Sequence, residues 1–119
     1  MPPIKVAIVE DDQDVRDGMA FLFRQSPELR CVAACASAEQ ALQTLPKLSP
    51  DVVLLDIQLP GMDGFAVAER LARVGDPPAV LLISTRDVSS YRRRLARSPA
   101  RGFISKSELS GDAVSALVS

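Results

Sequence analysis

The stretch VVLLD at Val52–Asp56 places four branched apolar residues directly before an acid. An apolar run without alternation is typical of a strand that is buried on both faces of a parallel sheet. A charge directly after such a strand is costly unless other groups compensate it. The stretch therefore predicts a central parallel strand that delivers Asp56 to one edge of a sheet.

Similar apolar runs lie on both sides of this stretch, at Ile4–Val9, Val32–Ala36, Val80–Ile83 and Phe103–Ile104. Apolar residues at helical spacing follow each run: Val15, Met19 and Leu22; Ala38, Ala41, Leu42 and Leu45; Val67, Leu71 and Val74; Val88, Tyr91 and Leu95; Leu109, Ala113, Val114 and Leu117. Right-handed crossovers then give an α/β fold with helices on both faces of a parallel sheet. We predict a flavodoxin-like (βα)5 domain with five strands in the order 2-1-3-4-5.

Capping residues mark several helix ends. Ser37, with Gln40 after it, is placed to cap the second helix, and Asp63 is placed to cap the third. Gly75 is placed to end the third helix, and Pro99 to terminate the fourth.

Composition limits the classes of function. The 119 residues suit a single domain, and 14 basic against 15 acidic residues give a formal charge of −1. That balance gives no bulk attraction for nucleic acid or for a membrane surface. The chain contains no histidine, which excludes Ser-His-Asp and Cys-His catalysis and histidine-ligated metal sites.

Cysteine usage and hydropathy indicate a cytoplasmic protein. Cys31 and Cys35 lie in one predicted strand, where four residues span about 13 Å, too far apart for a disulfide. We expect two reduced thiols. The first apolar run meets acids at once, so no signal peptide is expected, and no apolar stretch is long enough to cross a bilayer.

Polar residues follow the predicted strands at the ends where ligands bind in such folds. Glu10 and Asp11 follow the first strand, Asp56 the third, Ser84 the fourth, and Lys106 comes after the fifth. Taken singly, an acid here is often a helix cap, a serine a turn residue and a lysine a solvated side chain. Taken together, at the same edge of the sheet, they predict a functional site.

Crowded carboxylates resist ionisation, and two resolutions exist, a shared proton or a bound cation. Oxygen ligands alone suit a hard cation such as Mg²⁺, which also leaves room for a phosphate oxygen. Asp56 is then placed as a nucleophile that forms an acyl phosphate. Lys106 supplies a positive charge and Ser84 a hydroxyl for the phosphoryl oxygens.

Four segments carry a family resemblance: VEDD at Val9–Asp12, DVVLLDIQLPGMDG at Asp51–Gly64, IST at Ile83–Thr85 and GFISK at Gly102–Lys106. The chain resembles, over its whole length, the receiver domain of bacterial two-component response regulators. The middle segment is highly specific, and the others fall in the right order at the right intervals.

The resemblance implies a role for each matching residue. Asp56 matches the phospho-acceptor and Lys106 the phosphate-pairing lysine. The ligands of Mg²⁺ or Mn²⁺ are implied to be Glu10, Asp11 (the direct member of the acidic pair), Asp56 and the backbone carbonyl of Gln58. Ser84 matches the switch hydroxyl and Phe103 the switch aromatic.

The implied function is a signalling switch rather than an enzyme, since it catalyses only its own phosphorylation and dephosphorylation. A sensor histidine kinase donates the phosphoryl group, and the surface of the fourth helix, fifth strand and fifth helix then changes. Lys106 is followed by Ser107 where the family often has proline, which resembles the branch with a helix-turn-helix output domain. We expect residues 1–119 to be the receiver domain alone, with DNA bound only through an output domain absent from this chain.

Two departures from the family pattern and two alternative functions remain open. Thr85 stands where the family usually has alanine or glycine, and its branched side chain is expected to narrow access to the phosphate. Arg86 follows it and, with Gln58, flanks the phosphate entrance. Thr85 also leaves open a module that binds partners without phosphate. A small-ester phosphatase resembling the haloacid-dehalogenase group would want an acid at position 58, where the chain has Gln58.

An arginine cluster on the fourth helix has two readings, a solvated face or a salt-bridged interface for homodimerisation or docking. Its members are Arg92, Arg93, Arg94 and Arg97.

Overall fold

A computed structural model describes residues 2–118 and shows a single five-stranded parallel sheet in the order β2-β1-β3-β4-β5. The strands are β1 Ile4–Val9, β2 Leu29–Cys35, β3 Val52–Asp56, β4 Ala79–Ser84 and β5 Gly102–Ser105. The helices are α1 Gln13–Arg24, α2 Ala38–Leu48, α3 Gly64–Leu71, α4 Arg92–Arg97 and α5 Gly111–Val118. Two 3₁₀ turns lie at Val88–Tyr91 and Lys106–Glu108. The predicted fold class and strand order are confirmed.

The apolar runs are continuous because the sheet is covered on both faces. Along β3, Val53 and Leu55 pack into one core cluster, while Val52 and Leu54 pack into another on the opposite face. All four are almost completely buried. Burial on both sides therefore explains why the strand shows no alternation.

The register of the sheet aligns the carboxyl ends of the central strands. Val9 pairs with Leu55, so Glu10 and Asp56 follow at the same level on neighbouring strands β1 and β3. Asp56 pairs with Ile83, which places Ser84 one residue further along β4. The residues predicted to carry the chemistry thus lie along one edge.

Side-chain caps start α1, α2 and α3. Asp12, Ser37 and Asp63 each accept a hydrogen bond from a backbone N–H in the first turn of the helix that follows. The predicted caps Ser37 and Asp63 are confirmed. The side chain of Gln40 accepts a hydrogen bond from the backbone N–H of Ala36. This bond stabilises the start of α2 in the manner of a capping box.

Several element bounds differ from prediction. Strand β2 begins at Leu29, three residues before the predicted start at Val32. The prediction was late because the exposed Arg30 of this edge strand interrupts the apolar run. Helix α3 ends at Leu71, with Ala72 as C-cap in right-handed conformation, so Gly75 does not end it and Val74 lies outside it.

Two helical faces also differ. In α1, Val15 is 36% exposed and the buried residues are Met19 and Phe23. The predicted fourth helix is split into the 3₁₀ turn Val88–Tyr91 and the short helix α4. Ser98 is extended before Pro99, so the predicted terminator is confirmed.

The two cysteines are free, as expected, with Cys35 buried and Cys31 partly buried. Burial raises the pKa of both thiols. Within residues 2–118, no helix is both long and apolar enough to span a membrane.

Candidate functional site

Three carboxylates converge at the carboxyl edge of the sheet. One oxygen from each of Glu10, Asp11 and Asp56 lies within 4.8 Å of the others. Glu10 and Asp56 are only 1% and 4% exposed, whereas Asp11 faces solvent. This acidic pocket thus combines two buried acids with one that is exposed to solvent.

Lys106 compensates the two buried acids. Its Nζ lies 2.8 Å from Glu10 Oε2 and 3.1 Å from Asp56 Oδ2. Burial alone would lower the pKa of Lys106, but its hydrogen bonds and charge interactions with Glu10 and Asp56 raise it above the usual value. Lys106 therefore stays protonated and spans both acids, from a position directly after β5.

Backbone N–H groups hold the carboxylates in place. The N–H of Gln58 donates to Asp56 Oδ1 at 3.0 Å, and the N–H of Asp12 donates to Glu10 Oε1 at 3.2 Å. Burial raises the pKa of Glu10, and the charge of Asp56 raises it further, while the hydrogen bond from Lys106 opposes both. The neighbouring Lys106 ammonium group therefore favours the charged form of Glu10 against the effect of burial.

Ser84 ends β4 beside this pocket, but its hydroxyl turns elsewhere. Ser84 Oγ accepts a hydrogen bond from the N–H of Arg86 at 3.0 Å and lies 3.4 Å from the hydroxyl of Tyr91. Within residues 2–118, Ser84 Oγ makes no hydrogen bond with Asp56 or Lys106. The structure therefore brings the three acids and Lys106 together as predicted. Ser84 lies next to them, and its hydroxyl is hydrogen-bonded to other residues.

The remaining predicted residues surround the pocket. Gln58, Thr85 and Arg86 are exposed, while Phe103 on β5 is half-buried and packs against the core cluster of Val53 and Leu55. Phe103 also contacts Tyr91, with ring centroids 6.1 Å apart. The effects predicted for Thr85 and Arg86 on phosphate access stay predictions.

Sequence reasoning missed the contribution of Gly64. A Cβ at this position would lie 2.5 Å from the carbonyl oxygen of Asp56 and 2.7 Å from Cα of Ile57. The N–H of Gly64 also donates to the carbonyl of Ile57 at 2.8 Å. The start of α3 therefore packs directly on the backbone that carries Asp56, and the signal was present in the Asp-Gly pair that opens the helix.

Arg94 differs from the other members of the arginine cluster in its contacts. Its guanidinium pairs with Asp63, and Cζ lies 4.2 Å above the ring of Phe65. This arginine therefore links α4 to the start of α3 within the molecule. Arg92, Arg93 and Arg97 are exposed, and both readings of their role stay open.

The donor set fits a hard divalent cation. In the described part of the chain, the groups here that could ligate a metal ion are the carboxylate oxygens of Glu10, Asp11 and Asp56. Backbone N–H groups hold the carboxylates of Glu10 and Asp56 in place, and Asp11 is exposed to solvent. Hard cations of the magnesium type prefer this kind of set.

The sequence of residues 6–117 matches the family model described as the response regulator receiver domain. The chain belongs to this family. Receiver domains are signalling domains of two-component systems, and they bind Mg²⁺ at an acidic pocket. The acidic pocket of this receiver domain lies where the strand order places such a site.

Curated relatives and solved structures agree with this assignment. The receiver domain is 36% identical over 115 residues to the positive alginate biosynthesis regulatory protein of Pseudomonas aeruginosa, covering 96% of this chain and 46% of that protein. It is 31% identical over 111 residues to the transcriptional regulatory protein DegU of Brevibacillus brevis, covering 93% of this chain and 47% of that protein. The chain thus spans about half the length of these curated relatives.

A solved structure shows the same fold. The signal receiver domain of the response regulator NarL from Mycobacterium tuberculosis superposes with a TM-score of 0.86 at 27% identity, covering 98% of each chain. Its fold likeness confirms the flavodoxin-like architecture.

Proposed function

We propose that this receiver domain is a switch in which Asp56 accepts a phosphoryl group from the phosphohistidine of a sensor histidine kinase. The P–N bond of the donor breaks, a P–O bond to an Asp56 oxygen forms, and the imidazole leaves. The carrying observation is the contact of Lys106 with both buried acids, Glu10 and Asp56. Such a preformed positive group is what phosphoryl transfer to a carboxylate requires.

Each residue has a separate task in this reaction. Glu10, Asp11, Asp56 and the carbonyl of Gln58 would hold Mg²⁺ or Mn²⁺, as the family resemblance implies. The bound cation supplies positive charge that offsets the charge of the acids and of the phosphoryl oxygens. Lys106 pairs with a phosphoryl oxygen once Asp56 is modified, and Ser84 donates its hydroxyl to another.

The response to phosphorylation is a change of surface. Ser84 moves toward the phosphate, Phe103 turns inward, and the surface of α4, β5 and α5 is rearranged. Since phosphate contacts are made in only one of two conformations, phosphorylation shifts the population toward that conformation. The curated relative from Brevibacillus brevis, named as a transcriptional regulatory protein, supports a transcriptional output, with DNA bound through a further domain.

The test uses acetyl phosphate as a small donor in place of the kinase. We expect intact-protein mass spectrometry to show one added phosphoryl group on the wild type with Mg²⁺ and none with EDTA. Asp56→Asn should stay unmodified, and Asp76→Asn, an exposed acid remote from the pocket, should behave like the wild type. Equal modification of Asp56→Asn and the wild type would refute the proposal.

A further inference from the structure

Tyr91 lies beside the switch hydroxyl, although the sequence marked it only as an apolar residue of a helix face. It ends the 3₁₀ turn before α4 and is 8% exposed. Its hydroxyl lies 3.4 Å from Ser84 Oγ, in a buried contact. A buried tyrosine hydroxyl normally has a polar partner, and here that partner is Ser84.

The hydroxyl of Ser84 is thereby directed away from the acidic pocket. A serine hydroxyl has one proton to donate and can accept two. The N–H of Arg86 donates to Ser84 Oγ, and the second hydrogen bond of Ser84 Oγ within residues 2–118 joins it to the Tyr91 hydroxyl. For Ser84 to reach a phosphoryl group on Asp56, the bond with Tyr91 must break.

Packing on two sides fixes the ring of Tyr91. Its centroid lies 6.0 Å from that of Phe65 on α3 and 6.1 Å from that of Phe103 on β5. Phe65 in turn lies under the guanidinium of Arg94, which pairs with Asp63. Before switching, the Tyr91 hydroxyl is therefore held at a defined place next to Ser84.

We propose that Tyr91 is a positioning residue that retains the Ser84 hydroxyl in the unphosphorylated conformation and so sets the cost of switching. This inference rests on the proposed function, because it takes Ser84 as the group that contacts the phosphate. Loss of the Tyr91 hydroxyl removes a hydrogen bond made only before switching. Tyr91→Phe should therefore favour the switched state while the ring and its packing are kept.

The experiment measures binding of beryllofluoride, a stand-in for the phosphoryl group, to the full chain at saturating Mg²⁺. We expect Tyr91→Phe to bind beryllofluoride roughly 2- to 10-fold more tightly than the wild type, since a net hydrogen bond contributes about that factor. In a Ser84→Ala background, where the bond is already lost, adding Tyr91→Phe should change the affinity little. The affinity for Mg²⁺ alone should not change, because Tyr91 makes no hydrogen bond or ion pair with the carboxylates in residues 2–118.

The outcomes separate the two proposals. A wild type that fails to bind beryllofluoride contradicts the proposed function itself. If the wild type binds, unchanged or weaker binding by Tyr91→Phe overturns the role of Tyr91. The role of Tyr91 would also be overturned if Tyr91→Phe raised the beryllofluoride affinity equally in the wild-type and Ser84→Ala backgrounds. The same holds if Tyr91→Phe changed the affinity for Mg²⁺ alone by the same factor, because the effect would then come from general packing.

Discussion

Lys106 shows how a single side chain makes the acidic pocket compatible with a folded protein. Glu10 and Asp56 are nearly inaccessible, and two buried carboxylates with oxygens within 4.8 Å of each other repel one another. The ammonium group contacts both, and its own charged form is favoured in return. The residue that is proposed to pair with phosphate therefore also stabilises the unphosphorylated state.

Removal of Lys106 should consequently destabilise the fold. We expect Lys106→Met to lose about 3 kcal/mol of unfolding free energy at neutral pH without divalent cations, because it leaves buried acids unpaired. Urea denaturation measures the loss. The exposed Lys47→Met serves as a control.

A second substitution checks the cause of that loss. Adding Glu10→Gln to Lys106→Met should recover part of the lost unfolding free energy, because it removes one of the two buried carboxylates that are left unpaired. A loss for Lys106→Met no larger than that for Lys47→Met would contradict this view of the pocket.

At the scale of elements, α3 and α4 are joined by a contact between Asp63 and Arg94. Asp63 Oδ1 caps α3 through the N–H of Ala66, and Oδ2 pairs with Arg94 of α4. Burial alone would raise the pKa of Asp63, but the hydrogen bonds from Arg94 and Ala66 lower it below the usual value. A single acid thus serves both a helix start and a contact between helices.

The depressed pKa of Asp63 predicts a pH-dependent contribution to stability. Because the folded pKa lies below the unfolded one, the contribution is present above about pH 3.9 and is lost as pH falls through the folded pKa. We expect Asp63→Asn, which keeps a capping side chain, to melt below the wild type at pH 6. The difference should shrink at pH 3.

Thermal denaturation at the two pH values measures this difference. Asp112→Asn, in the exposed first turn of α5, is a matched control. A difference between Asp63→Asn and the wild type that stays constant from pH 6 to pH 3 would rule out the charge as its source.

Contact between α3 and the end of β3 predicts an effect of Gly64→Ala. The added Cβ would meet backbone atoms of Asp56 and Ile57, which cannot move as a flexible side chain does. We expect a loss of about 2 kcal/mol in unfolding free energy, together with slower phosphorylation by acetyl phosphate. Gly18→Ala, in α1 with open space around it, should be neutral or stabilising, and an equally harmless Gly64→Ala would contradict the close packing.

Elements were predictable where the sequence pattern and the packing coincide. The run Val52–Leu55 has no polar interruption, and its strand is where it was predicted. The structure of the stretch Val88–Leu95 was harder to predict, because its apolar residues have the spacing of one α-helix. In the structure, Asp87 caps a 3₁₀ turn, which changes the direction of the side chains relative to those of an α-helix. Periodicity therefore could not show that Tyr91 turns its hydroxyl toward Ser84, which depends on the path of a loop.

At the scale of the whole molecule, strand order assembles the pocket from distant parts of the chain. Glu10 and Asp56 become neighbours because β1 and β3 pair, and Lys106 joins them from the end of β5. The sequence predicted this grouping because strand ends in such folds share an edge. It could not predict which hydroxyl or guanidinium partners would be chosen, since those depend on side-chain rotamers and tertiary contacts.

The proposed cation site predicts stabilisation of the fold by Mg²⁺. A ligand that binds only the folded state adds about 2.7 kcal/mol at 100 times its dissociation constant. We expect a rise in melting temperature with Mg²⁺ for the wild type and for Asp17→Asn, an exposed acid of α1. Asp11→Asn should show a much smaller rise, and an undiminished rise would remove Asp11 from the proposed ligand set.

The most direct measurement of the central claim locates the phosphoryl group within the chain. After reaction with acetyl phosphate and Mg²⁺, borohydride reduces an acyl phosphate to an alcohol, and peptide mass spectrometry then identifies the reduced residue. The account predicts reduction at Asp56 alone. Reduction at Asp11 or another acid instead, or no reduced residue in a protein that binds Mg²⁺, would contradict it.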